Sequence, residues 1–266
     1  MTYSTITKPL LTASLVLSLS VTCVAEDLIN CITKANANWN DESSWQTGSL
    51  PSQENEMAIM NGGLSAIVDS PFEAPIRVQV GNGRSPAPDG TLTINADFRV
   101  KSLGVATAEG TSGRVEQNAG IVSVEELSLS ALSQDALEAT YDLIGGSVET
   151  EILKMGVTGP ANLNLEGHGG LFSVRMKFLV GSQSAIRLVG SKDGFPTLNA
   201  GSAQVTIEPG ATLTVEGAQE ATKPGQFTLI QANEPLAGKL DVNLIGFGEG
   251  KATVLESEPG VVIEVK

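Results

Sequence analysis

The sequence predicts an all-β chain wound as a single-stranded parallel β-helix, a β-solenoid with coils of about 24–26 residues, capped at both ends. Three observations carry this. Apolar anchors recur at Val78, Leu103, Leu127, Leu153, Leu179 and Val205, each 24–26 residues after the last. The columns read backward from these anchors alternate in character. Phe98, Val122, Val148 and Val174 stand five residues before an anchor, and Val100, Val124, Thr150 and Met176 three before. Between them lie Arg99, Ser123, Glu149 and Arg175, then Lys101, Glu125, Glu151 and Lys177. A period of two puts the first sets on one face of a strand and the second sets on the other. Finally, Ala119-Gly120, Gly145-Gly146 and Gly169-Gly170 precede successive strands, where corners demand backbone angles that glycine adopts freely.

Taken from the start, residues 1–25 read as a secretory signal. Lys8 is the sole charge, an apolar run extends from Leu10 to Val21, and small residues end at Ala25 before Glu26. The run is too short for a membrane anchor, and polar sequence follows it directly. A lipid-modified Cys23 fits poorly after Thr22. Beyond the signal only Cys31 remains, and one thiol makes no internal disulfide, so the stacked core must supply the stability. No later run is long enough to span a membrane.

Residues 26–63 are expected to cap the first coil, whose bare strand edges would otherwise recruit other chains. Trp39 and Trp45, the only tryptophans, lie here. Packed inward they are cap core; exposed side by side they would form a sugar-stacking platform. The β-helix is placed at 64–217, with excursions at 81–90, at 131–139 (room for one helical turn) and at 191–196. Residues 218–266 offer four strand candidates, 226–231, 239–244, 252–255 and 261–265, read as a small antiparallel C-terminal cap.

The formal charge of −14 becomes one unit more negative without Lys8. That argues against nucleic acid, whose affinity depends on cationic side chains. Extracellular polysaccharide or other surface proteins are the partners it allows. No cofactor and no metal site is expected. His168, the single histidine, sits in a glycine-rich corner far from Cys31 and lacks the convergent ligands a zinc site needs. No nucleophile elbow or phosphate loop is present.

The run from Trp39 to Pro51, W-N-x3-S-W-x2-G-x-L-P, followed by E-x-A-I-M-N-G-G at 56–63, resembles the opening of secreted bacterial proteins with autotransporter-associated β-strand repeats. GGSVETEILKMG at 145–156 fits their repeat, and GGLFSVRMKFLVG at 169–181 fits it loosely. The resemblance implies a right-handed parallel β-helix, a secreted or cell-surface location and no enzymatic activity. No C-terminal membrane barrel and no Pro-Glu-Pro tail is visible, so no anchoring device is expected.

Chemistry has one candidate location, the outward face bearing Glu149, Glu151, Arg175 and Lys177. A basic residue beside acids is the equipment of a β-helix polysaccharide lyase, and paired carboxylates that of a glycoside hydrolase. The plain reading is a surface charge ladder down the column of Lys101, Glu125, Glu151 and Lys177, worth roughly 0.2–1 kcal/mol per opposite pair. The reading favoured here is a secreted non-catalytic solenoid with a structural, adhesive or matrix role. The alternatives are a carbohydrate-binding module using Trp39 and Trp45, and a polysaccharide lyase or hydrolase with a groove on the 149/151/175/177 face beside the 81–90 or 131–139 loop.

Overall fold

The computed structural model describes residues 28–54, 56–83, 89–132, 135–167, 171–217, 224–247, 252–255 and 259–266. The expected signal, His168 and the Gly169-Gly170 corner lie outside them.

The first turn holds β1 (Leu28–Cys31) and β2 (Ala37–Asn38), the second β3 (Glu56–Met60) and β4 (Leu64–Val68). Longer turns follow: β5 (Phe72–Val80) with β6 (Gly90–Ile94), β7 (Phe98–Val105) with β8 (Ser112–Gln117), and β9 (Ile121–Leu129) with β10 (Glu138–Leu143). Next are β11 (Ser147–Met155) with β12 (Ala161–Glu166), and β13 (Leu171–Val180) with β14 (Ser184–Val189). Then β15 (Thr197–Gly201) and β16 (Gln204–Ile207) share a turn with β17 (Thr212–Glu216). The chain ends with β18 (Gly225–Ala232), β19 (Asp241–Ile245), β20 (Ala252–Leu255) and β21 (Gly260–Val265).

These strands build two sheets. The larger runs β1-β3-β5-β7-β9-β11-β13-β15-β18-β21-β20, with β16 also on β13; the smaller runs β19-β17-β14-β12-β10-β8-β6-β4-β2. Each turn of chain adds one strand to each sheet, giving a β-solenoid of about eight turns. Pairing between the strands is parallel except at β18–β21 and β20–β21, the small antiparallel sheet near the C-terminus. Of the four C-terminal candidates, the one at 239–244 departs from this: β19 adds in parallel to β17. At the other end the segment expected as a cap carries strands of the stack itself, since β1 pairs parallel with β3 and β2 with β4. Among the described residues the only helix is a 3-10 turn at Glu42–Ser44, so the 131–139 excursion holds none there, and no helix could cross a membrane.

The long strands bend in the middle. In β7, β9 and β11, Val100, Val124 and Thr150 point inward, and the next inward residues are Leu103, Leu127 and Leu153, three positions on rather than two. The ladder skips the position of Lys101, Glu125 and Glu151, which is where the chain turns. Inward residues stack in columns one rung apart. Phe98, Val122, Val148 and Phe172 form one, and Val78, Leu103, Leu127, Leu153, Phe178 and Val205 another. Burying each such side chain stabilises by roughly 1.5–3 kcal/mol before entropic costs.

This register corrects the expected alignment at its fifth rung. The anchor there is Phe178, not Leu179, and the partner of Val148 is Phe172, not Val174. Met176, expected inside, is 59% exposed. The cause is a bulge: between Val174 and Lys177 β13 has two residues where β11 has only Glu151. A similar extra residue sits in β5, where Pro75 and Ile76 oppose Lys101.

At the N-terminal end Trp39 meets Trp45 at 4.9 Å, Phe98 at 5.0 Å and Phe72 at 5.3 Å between ring centres, all edge-to-face. The Trp45 indole donates to the Trp39 carbonyl at 2.9 Å. This aromatic plug fills the solenoid where stacking stops. Deeper in, Tyr141 donates to Gln117 Oε1 at 2.7 Å, and Gln117 Nε2 donates to the carbonyls of Gly120 at 2.9 Å and Ser147 at 3.0 Å. Burial pushes the Tyr141 phenol well above its usual range.

Two outcomes follow for chemical denaturation. Tyr141→Phe deprives a buried amide oxygen of its donor and is expected to cost about 1–3 kcal/mol. Gly81 has φ +74° and a Cβ there would lie 2.0 Å from the Ser112 carbonyl oxygen, whereas Gly63 has φ +71° with open space around it. Gly63→Ala should therefore cost only the left-handed penalty of about 1–2 kcal/mol, and Gly81→Ala clearly more. Equal losses at the two glycines would contradict the close rung contact.

Candidate functional site

The outward residues just before the bend form two columns with a trough between them. One wall carries Glu73, Arg99, Ser123 and Glu149; the other carries Pro75, Lys101, Glu125, Glu151 and Arg175. The floor is the chain at Ala74, Val100, Val124 and Thr150, whose side chains point into the core, and Glu54 stands at the lip. The trough encloses about 440 Å³. It crosses five strands, β5 to β13, so its length is four steps of about 4.8 Å, roughly 19 Å.

Its charges are partly matched within the chain. Arg175 Nη2 lies 2.6 Å from Glu149 Oε2, and Lys101 Nζ lies 3.3 Å from Glu54 Oε1. The first pair is diagonal, because Arg175 stands two residues beyond Ser173, the register partner of Glu149, at the bulge opposite Glu151. Glu73 and Arg99 are register neighbours on adjacent strands. Glu125 and Glu151 stand one above the other on exposed positions, and no described residue forms an ion pair with either. Like charges on adjacent strands destabilise modestly in isolation.

The structure therefore brings together Glu149, Glu151 and Arg175, as the sequence suggests, and separates Lys177 from them. Lys177 pairs with Ile152 beyond the bend and does not line the trough. The expected ladder of Lys101, Glu125, Glu151 and Lys177 is replaced by the two pairs above. Among the described residues neither the 81–90 loop nor the 131–139 loop borders the site. Trp39 and Trp45 are 0% and 2% exposed. With no open ring face they cannot stack on a sugar, so the platform at these residues is withdrawn. The excursion at 191–196 closes a turn through an antiparallel Ser191–Gly194 bridge and buries Phe195.

Two residues of the trough escaped sequence reasoning. Glu73 is the register partner of Arg99, but the extra residue in β5 puts it five rather than four positions before Val78, so extending the outward column backward reaches Ala74 instead. Glu54 gives no signal either, because it enters from a loop outside the repeat. Its placement depends on buried Glu56, whose carboxylate accepts from the backbone of Ser52 at 2.7 Å and Gln53 at 3.2 Å and from Asn30 Nδ2 at 3.3 Å.

Just past the bend, Glu126 accepts from Lys154 Nζ at 2.9 Å and from Ser128 Oγ at 2.8 Å. Burial raises its pKa, but the hydrogen bonds from Lys154 and Ser128 and the Lys154 charge outweigh this and hold it below the ordinary glutamate range. On the smaller sheet Arg114 lies 2.8 Å from Asp142, an ion pair by distance without hydrogen-bond alignment, and Asn164 donates to Asp142 at 2.7 Å. Arg187 pairs with Glu216 one turn on. Pairing across rungs is thus general on this surface. Among the described residues no cluster of three or more His, Cys, Asp or Glu is arranged to hold a metal.

Comparison with protein-family models, curated proteins and solved structures gives no match.

The Glu126–Lys154 pair yields a signed pH dependence. A carboxylate with a lowered pKa adds stability above its unfolded value and loses it as pH falls through the folded value. Lys154→Met should therefore cost on the order of half a kcal/mol at neutral pH, allowing for solvent screening. The gap between variant and parent should close in acid, as pH falls through the folded value and both approach the protonated state. Urea titrations at neutral and acid pH check this, and a constant gap would contradict it.

Proposed function

We propose that this chain is a secreted, non-catalytic β-solenoid with a structural or adhesive role outside the cell, engaging its partner through the trough. The resemblance to proteins with autotransporter-associated β-strand repeats and the signal-like residues 1–25 agree with that location. The observation that carries the reading is the pairing inside the trough. Arg175, the base a lyase would need there, is held at 2.6 Å by Glu149. A guanidinium engaged by a carboxylate is a poor proton acceptor. Lys177, the other basic candidate, lies on the far side of the bend. Glu149 is in turn committed to an ion pair, which leaves Glu151 without the partner acid that glycoside hydrolysis uses across a scissile bond.

The carbohydrate-binding alternative loses its tryptophans but keeps the trough, which can recognise a ligand through polar contacts. The experiment is a turnover screen against acidic, neutral and amino polysaccharides, following reducing ends and unsaturated products. No product is expected from the parent chain. Product formation that disappears in Glu149→Gln or Glu151→Gln would replace this reading with the enzymatic one.

A further inference from the structure

Building on the non-catalytic, adhesive reading of the trough, we infer that its ligand is a linear 1→4-linked glycan bearing free amino groups, laid along the solenoid axis. The argument begins with direction and repeat. The trough crosses the strands, so it offers a new set of side chains every 4.8 Å or so. A pyranose ring in an extended 1→4-linked chain advances by nearly one rung. An extended peptide advances only about 3.3 Å per residue, so it cannot set one residue on each rung and meets the repeat only at every second rung.

Charge then selects the kind of glycan. The walls and lip hold five carboxylates, at Glu54, Glu73, Glu125, Glu149 and Glu151, against three cations, at Arg99, Lys101 and Arg175. Two of the cations are engaged by Glu54 and Glu149, and Arg99 has Glu73 as its register neighbour. Glu125 and Glu151 are left facing the trough, one rung apart on one wall. An ammonium between them answers both carboxylates at once, a charge-assisted contact stronger than a neutral hydrogen bond. The formal charge of −14 over the whole chain adds long-range attraction for a polycation and repels uronate polymers.

Shape agrees with this. Opposite Glu125 the facing wall drops to Ser123, a short side chain that leaves room for a ring. Among the described residues no aromatic lines the trough, so recognition falls on the charged and hydrogen-bonding groups of the sugar rather than on its faces.

Calorimetric titration of the purified chain tests this, at a pH where the sugar amines are protonated. The probes are a β-1,4-linked glucosamine hexamer, its fully N-acetylated counterpart and hexalysine. The amino hexamer is expected to bind, with affinity falling as salt rises. The N-acetylated hexamer and hexalysine should each bind at least about tenfold more weakly. The double variant Glu125→Gln/Glu151→Gln should lose on the order of tenfold for the amino hexamer while melting no lower than the parent, since both positions are exposed and the change removes a like-charge pair. Asp241→Asn, on the other sheet, should change nothing. Equal binding of hexalysine, equal binding of the N-acetylated hexamer, or full affinity in the double variant would each overturn the ligand assignment while leaving the adhesive reading standing. Shortening of the amino hexamer during titration would do the reverse, removing the non-catalytic reading and keeping the ligand class.

Discussion

Everything in this molecule depends on the parallel ladder between successive turns. A strand in such a stack satisfies its backbone groups on the turns before and after, so its neighbours are dictated by register rather than by side-chain choice. Inward residues must then stack on inward residues, and the column of Val78, Leu103, Leu127, Leu153, Phe178 and Val205 is the direct result. Outward residues are bound by the same rule. Charges that face solvent have fixed neighbours one rung away, which is why Arg114 meets Asp142 and Lys154 meets Glu126 across one turn each.

That rule also explains how much could be read from the sequence. The spacing of Val78, Leu103, Leu127 and Leu153 and the alternation before them are legible because identical geometry recurs on each rung. The extra residue in β13 is not. Phe172, Val174, Met176, Phe178 and Val180 alternate without interruption, so the strand looks regular and the neighbouring Phe178 and Leu179 serve equally well as anchors. Only the hydrogen-bond partners of β11 reveal that one position has been inserted at the bend. The error passes to the surface: it assigns Lys177 to the column that Arg175 in fact occupies. Likewise, nothing in the spacing of Trp39 and Trp45 says which way the indoles point. The need to fill the end of an aromatic-poor core decides it, with Phe72 and Phe98 waiting one and two turns on.

The two bulges give the trough its bounds. Between them β7, β9 and β11 run in register, and the outward columns on either side of the inward residues stay straight. At β5 and β13 the extra residue turns the strand locally, as bulges do, and breaks the columns. Pro75 at one end and Arg175 at the other stand at these breaks. A surface that would otherwise be an endless repeat is cut into a segment of definite length, and Glu54, delivered by a loop pinned on Glu56, closes one end.

A stack of this kind is nearly one-dimensional: each turn contacts its neighbours and little else. Changes on the outside of one rung therefore leave the core of distant rungs untouched, and a site can be assembled rung by rung without disturbing the fold. The ladder does impose one limit. Two carboxylate residues in the same column on adjacent turns cannot draw their backbones apart, because the rung spacing is set. At Glu125 and Glu151 the fold holds such a pair in the open, next to rungs whose charges are matched. A repulsion that an ordinary loop would relax by moving its backbone is here held by four ladder pairs on either side along β9 and β11, so relief comes from the side chains turning apart or from a cation in the solvent or on a ligand.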